Sequence, residues 1–132
     1  MTVNARPESL AEAVRRAQNG TAMFDHAVRE FLDTFYGDAG SRGAAIREPP
    51  PLMGGVYDPY VAAVAEHLAR CFGLPIPEWT EQHGEPLHEP FFAGGLETLK
   101  ARLIVESPSA FRRRLIFVSH DALDRPRART AP

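Results

Sequence analysis

Apolar residues recur along the chain with the spacing of amphipathic helices. From Leu10 they fall at i, i+3, i+4 and i+7, which predicts a first helix over residues 9–19, ended by Gly20. Residues 21–36 carry the strongest pattern, with phenylalanine, valine and leucine on one face and charged residues mostly on the other. Because a threonine hydroxyl accepts hydrogen bonds from the free N–H groups of a first turn, Thr21 is the predicted N-cap of this helix.

The third helical segment has clear start and stop signals. Asp58 followed by Pro59 is typical of an N-cap and a first helical position, and Gly73 predicts the end of the helix. Its apolar face consists of Tyr60, Val61, Val64, Ala65, Leu68, Cys71 and Phe72.

Shorter elements are predicted toward the C-terminus. Residues 97–106 are predicted to form a helix, and Leu99, Leu103 and Ile104, with Leu96 just before it, are expected to face inward. Ser107 is the expected cap of another short helix, with Pro108 at its first position, and residues 121–125 suit one more turn. The β-prone run 116–118 is too isolated to define a sheet, but it is able to pair with another short strand.

Glycine and proline interrupt these helices. Residues 37–55 are a break whose run Pro49–Pro51 favours extended backbone, as a mobile loop or as a strap on the surface. Four prolines in residues 74–90 exclude a long helix there, and Trp79 is expected to pin this stretch to the core. The pattern predicts an all-α fold: one small domain of four to five helices with long Pro/Gly-rich connections. The expected core is Phe24, Val28, Phe31, Leu32, Phe35, Val61, Val64, Leu68, Phe72, Trp79, Leu99, Leu103 and Phe111.

Length and composition narrow the class of protein. A chain of 132 residues suits one domain, expected over residues 1–125, followed by a disordered basic tail at 126–132 that has little to bury. No apolar run approaches the roughly 18–20 residues of a membrane span, and the N-terminus lacks a secretory signal. We therefore expect no membrane contact and a cytoplasmic location, which the single cysteine fits.

The loop at residues 83–89 has the richest polar chemistry. His83, Glu85, His88 and Glu89 carry imidazole and carboxylate ligands that suit a divalent metal, although their spacing matches no strong signature. A solvated polar loop explains the same residues. On the third helix, His67 and Cys71 have the i, i+4 spacing of a nucleophile–base or metal pair, but a small hydrophobe beside a border histidine explains them as well.

The most distinctive feature is an arginine cluster flanked by aromatic residues. Arg112, Arg113 and Arg114 point in three directions around a helix, since successive residues are about 100° apart. They suit carboxylates, either within the protein or on a partner, and Phe111 and Phe117 add a surface able to stack on unpaired bases. Residues 1–99 carry a net charge of −7 and residues 100–132 a net charge of +5, so the acidic part would repel a long polyanion.

Two stretches, 58–79 and 106–118, also carry a resemblance. The first runs from Asp-Pro-Tyr-Val-Ala-Ala-Val-Ala-Glu-His-Leu-Ala to Gly-Leu-Pro and Pro-Glu-Trp, and the second contains Glu-Ser-Pro-Ser-Ala-Phe-Arg-Arg-Arg. Over residues 57–118 the chain resembles short, largely uncharacterised bacterial proteins of toxin–antitoxin two-gene modules. That resemblance implies a protein partner encoded by a neighbouring gene, and it supplies no functional residues.

The leading functional hypothesis is a non-enzymatic, protein-binding subunit, antitoxin-like or accessory, that docks through Phe111, Arg112, Arg113, Arg114 and Phe117. No catalytic residue, metal site or cofactor is predicted with it. One alternative is a small nucleic-acid-binding regulator that adds Arg125, Arg127 and Arg129 to the same cluster. The other is a metal-dependent enzyme that uses the loop at residues 83–89.

Overall fold

The computed structural model describes residues 6–93, 100–120 and 122–124. These residues are mostly helical, which confirms the all-α fold class. The helices are α1 (Leu10–Gln18), α2 (Phe24–Gly37), a 3₁₀ helix (Ala39–Ser41), α3 (Arg42–Ala45), α4 (Tyr57–Phe72), α5 (Trp79–His83), α6 (Lys100–Glu106) and α7 (Ser109–Arg112). Among the residues described, none of these helices is both long and apolar enough to cross a membrane.

The first two helices pack against each other, and their connection differs from the prediction. Ser9 caps α1, since its Oγ accepts the N–H of Glu12 at 3.0 Å. Thr21 does not cap α2, which begins at Phe24. Its N–H and its hydroxyl both donate to the carbonyl of Arg16, at 3.0 and 3.1 Å, so Thr21 closes the end of α1 instead.

Helix α4 begins one residue before its predicted N-cap. It starts at Tyr57, and the Asp58 carboxylate accepts N–H groups from the preceding loop, those of Met53 at 2.7 Å and Gly54 at 3.0 Å. Asp58 therefore fastens that loop and does not cap the helix. The predicted end is confirmed, because Gly73 adopts a left-handed conformation with φ of 66°.

The core lies between α2 and α4, with α1, α5 and the segment around α7 packed around them. Most of the predicted core residues are buried: Val28, Phe31, Leu32, Phe35, Val61, Val64, Leu68, Trp79, Leu103 and Phe111. Phe24 and Phe72 are half-buried and line its edge. Ile104 was wrongly expected to face inward and is 46% exposed, because the neighbouring Leu103 takes the buried side of α6.

The long connection between α2 and α4 is more ordered than the predicted break. It contains the 3₁₀ helix and α3, and it is fastened to α5 at two points. Trp79 Nε1 donates to the carbonyl of Ile46 at 3.0 Å, and His83 Nε2 lies 2.9 Å from the carbonyl oxygen of Pro50. The proline run is therefore a strap held on the surface, and Trp79 pins α5 to the core as predicted.

The β-prone run does pair with a second short strand. Strands β1 (Phe91–Phe92) and β2 (Ile116–Phe117) are parallel, with Phe92 stacked on Phe117 at 5.0 Å between ring centroids. Ser107 was wrongly predicted as a helix cap. Its buried hydroxyl lies between α6 and the end of β2, 2.7 Å from the carbonyl of Leu103 and 2.7 Å from the N–H of Val118.

Several predictions lie outside the described residues. These concern Leu96, Leu99, residues 97–98, the helical turn beginning at residue 121 and the tail at 126–132.

Candidate functional site

Arg114 carries a fully buried guanidinium, with 1% of its side chain exposed. Its Nη1 donates to Glu66 Oε1 on α4 and to the carbonyl of Ala110 on α7, both at 2.7 Å. Nε donates to the carbonyl of Gly84 at 3.1 Å, and Nη2 donates to the carbonyl of Thr80 at 3.2 Å. A buried cation is tolerated only when it is paired and hydrogen-bonded, and this one joins α4, α5 and α7.

Arg70, Arg113 and Arg114 all bind Glu66, and we call these four residues the Glu66 cluster. The Glu66 side chain is also 1% exposed. Besides Arg114, it binds Arg113, whose Nε and Nη2 lie 3.1 and 3.0 Å from Oε1. Arg70 Nε donates to Oε2 at 2.8 Å. Burial raises the pKa of Glu66, but the hydrogen bonds from Arg113, Arg114 and Arg70 outweigh it and lower the pKa to about 2. The carboxylate therefore stays ionised.

The local sequence explains how a charge enters this interior. On α4, the residues three and four positions from Glu66 include Ala62, Ala63 and Ala69, all fully buried. Glu66 therefore lies among small side chains on the buried face of α4. Directly after Arg114, Leu115 adopts a left-handed conformation with φ of 64° and turns the chain into β2.

The five residues predicted to bind a partner divide between interior and surface. Phe111, Phe117 and Arg114 are buried, so their side chains are not part of the exposed surface in this fold. Arg113 is 43% exposed and binds Glu81 at 2.8 Å as well as Glu66. Arg112 is exposed, and a partner contact through it stays a prediction. Arg125, Arg127 and Arg129 lie outside the described residues.

The proposed metal loop does not converge on a point. His83 lies against the carbonyl of Pro50, whereas Glu85, His88 and Glu89 are exposed. In the part of the chain that the structure describes, no three His, Cys, Asp or Glu side chains come together as a metal site.

The His67–Cys71 pair is formed but is not activated. Cys71 Sγ lies 3.5 Å from His67 Nε2, and Cys71 is exposed rather than on the apolar face, because the buried stripe of α4 ends at Ala69. Burial lowers the pKa of His67, and burial together with the Asp124 carboxylate raises the pKa of the Cys71 thiol. Since the thiolate is the reactive form, this arrangement suppresses nucleophilic chemistry at neutral pH.

A second surface, at the corner between α1, α2 and α4, exposes large apolar side chains. Met23 is 78% exposed, Leu52 60% and Tyr57 41%. Met23 and Tyr57 line an open cleft of about 520 Å³, with Phe24 and Met53 among its other lining residues. We call these five residues the apolar corner. Methionine and aromatic side chains are enriched at protein interfaces.

Comparison of the chain with protein-family models, with curated proteins and with solved structures found no match. The resemblance to toxin–antitoxin proteins therefore stays a prediction.

Sequence reasoning missed Glu66 and Gly84. A signal for Glu66 was present, because it is the one acidic residue between Pro59 and Phe72, a stretch made mostly of apolar residues. Gly84 gave no signal, since its role depends on a side chain that lies 30 residues away in sequence.

Gly84 leaves no room for a side chain, so Gly84→Ala should destabilise the fold. A Cβ there would lie 2.4 Å from both Arg114 Nε and the carbonyl oxygen of Thr80. We expect a loss of about 1–3 kcal/mol in the free energy of unfolding, measured by urea denaturation. Gly37→Ala is the control, because its Cβ meets nothing within 4 Å. Equal stability of the two variants would contradict the close packing around Arg114.

The Glu66 cluster also predicts an acid dependence of stability. The pKa falls from 4.5 to about 2 on folding, so the contribution is complete above pH 4.5 and is lost as pH falls toward 2. The shift corresponds to about 3 kcal/mol. The stability gap between wild type and Glu66→Gln should therefore narrow over this range, as followed by urea denaturation. A gap that does not change with pH would show that Glu66 is not held as the ionised carboxylate.

Proposed function

We propose that this protein is a non-enzymatic binding subunit that docks on a partner protein through the apolar corner. The observation that carries the proposal is the exposure of Met23 and Tyr57 on one open cleft, with Leu52 exposed directly before the cleft residue Met53. Clustered apolar exposure of this kind is typical of interaction surfaces. The raised pKa of the Cys71 thiol favours a binding role over a catalytic role for the His67–Cys71 pair.

The apolar corner has a defined conformation in the free protein. Phe24 meets Tyr57 edge to face, with 4.8 Å between ring centroids. The Asp58 carboxylate fixes the backbone at Met53, and Gln18 Nε2 donates to the carbonyl of Leu52 at 3.1 Å. Since a preorganised surface loses less conformational entropy on binding, these contacts support a docking role.

The occupant we propose is a partner protein that presents apolar side chains. Residues 125–132 of this chain, with the sequence Arg-Pro-Arg-Ala-Arg-Thr-Ala-Pro, have no large apolar side chain to fill the cleft. In line with the antitoxin-like resemblance, the product of the neighbouring gene is the partner to test.

The proposal predicts that Met23→Asp abolishes complex formation. Met23 is the N-cap residue of α2, a position that aspartate suits, so the substitution places a charge on the surface without disrupting the helix. The measurement is co-expression with the neighbouring gene product followed by size-exclusion chromatography. We expect the wild type to co-elute with that product and Met23→Asp to elute alone.

Val105→Asp is the matched control, because Val105 is 77% exposed but lies on α6, outside the apolar corner. It should co-elute like the wild type. The proposal fails if the wild type elutes alone, if it forms only a complex with a second copy of itself, or if Met23→Asp co-elutes as well as Val105→Asp.

A further inference from the structure

The Glu66 cluster carries more cationic groups than its internal carboxylates neutralise. Arg70, Arg113 and Arg114 surround Glu66, and the exposed Glu81 is the only other carboxylate bound to them among the described residues. Arg114 is buried and its hydrogen bonds are internal. The excess positive charge is therefore available at the surface, on Arg70 and Arg113.

The buried carboxylate of Glu66 fixes the positions of these two surface guanidinium groups. Arg70 is 54% exposed and Arg113 is 43% exposed, yet both bind oxygens of the same buried carboxylate at 2.8–3.1 Å. An isolated surface arginine must lose rotamer freedom to bind an anion, whereas these side chains are already positioned by Glu66. Arg70 uses only its Nε for this contact, which leaves both of its Nη groups without an acceptor among the described residues.

Glu81 shows what chemistry this surface accepts. Its carboxylate binds Arg113 Nη2 at 2.8 Å, while its own side chain is 70% exposed. An exposed ion pair of this kind contributes little stability and is exchanged readily. Glu81 therefore shows that the exposed side of Arg113 accepts a carboxylate.

We propose that Arg70 and Arg113 form a binding site for a carboxylate side chain on an acidic segment of the partner protein, with Glu81 covering part of the site in the free protein. This inference rests on the proposed function, since it assigns a second contact to the same protein partner. The partner would then make a charged contact here in addition to its apolar contact at the apolar corner. Charged contacts give specificity and speed association.

An acidic peptide fits the site better than a nucleic acid. The carboxylates already bound here, those of Glu66 and Glu81, match the planar guanidinium groups. The aromatic residues next to the arginines, Phe111 and Phe117, are buried and give no stacking platform.

The test is fluorescence anisotropy of a fluorescein-labelled peptide of glutamate and glycine, titrated at low ionic strength with the full chain. Glu81→Gln removes the competing carboxylate and should tighten binding by about threefold, and Arg70→Gln should weaken it by about threefold.

Glu89→Gln is the control for Glu81→Gln, because it makes the same change in net charge at an exposed residue outside the cluster. Arg102→Gln is the control for Arg70, because Arg102 also binds a glutamate four residues away through Nε, at 2.7 Å. Neither control should change the affinity.

The inference is overturned if the peptide does not bind, if Glu81→Gln binds no tighter than Glu89→Gln, or if a single-stranded oligonucleotide of equal charge binds more tightly than the peptide. Glu81 is exposed, so its variant tests the site even if Arg70→Gln proves unstable. Loss of peptide binding with intact, Met23-dependent co-elution rejects this site alone. Peptide binding without co-elution rejects the apolar corner and leaves the carboxylate site standing.

Discussion

The burial of one guanidinium determines much of this structure. Arg114 is enclosed by α4, α5 and α7, and its hydrogen bonds to Glu66, Thr80 and Gly84 end on groups that only this arrangement brings close. Moving any of these helices would leave a buried cation or a buried carbonyl without a partner, which is costly in a low-dielectric interior. Burying the guanidinium in this way requires a carboxylate at position 66 to pair with it. It also leaves no space for a side chain at position 84.

The same interaction connects the interior to the surface. Glu66 neutralises Arg114 but also binds Arg70 and Arg113, so a contact that stabilises the fold also fixes two exposed cations. On another part of the molecule, α1, α2 and α4 hold the apolar corner in a defined shape. A binding subunit would gain affinity mainly from the apolar contacts and specificity from the charged ones, which is the usual division at protein interfaces.

The periodic elements were predictable from sequence because their signals are local. The stripes of α1, α2 and α4, the stop at Gly73 and the anchoring role of Trp79 all follow from neighbouring residues. The caps at Thr21, Asp58 and Ser107 were wrong, because in each case the side chain binds a backbone group that only the connecting chain brings within reach. The arginine cluster was recognised, but which arginine is buried depends on the turn at Leu115 and on partners 30–48 residues away. Sequence spacing alone does not contain that information.

The most direct test of this account compares two neighbouring arginines. Arg114→Met keeps much of the side-chain volume but removes every donor, whereas Arg112→Met makes the same change at an exposed position. In urea denaturation we expect Arg114→Met to lose about 3–5 kcal/mol of unfolding free energy, since Glu66 and three backbone carbonyls lose a buried partner. Arg112→Met should change the unfolding free energy by less than about 0.5 kcal/mol. If the two variants were equally stable, the buried guanidinium would not be what holds these helices together.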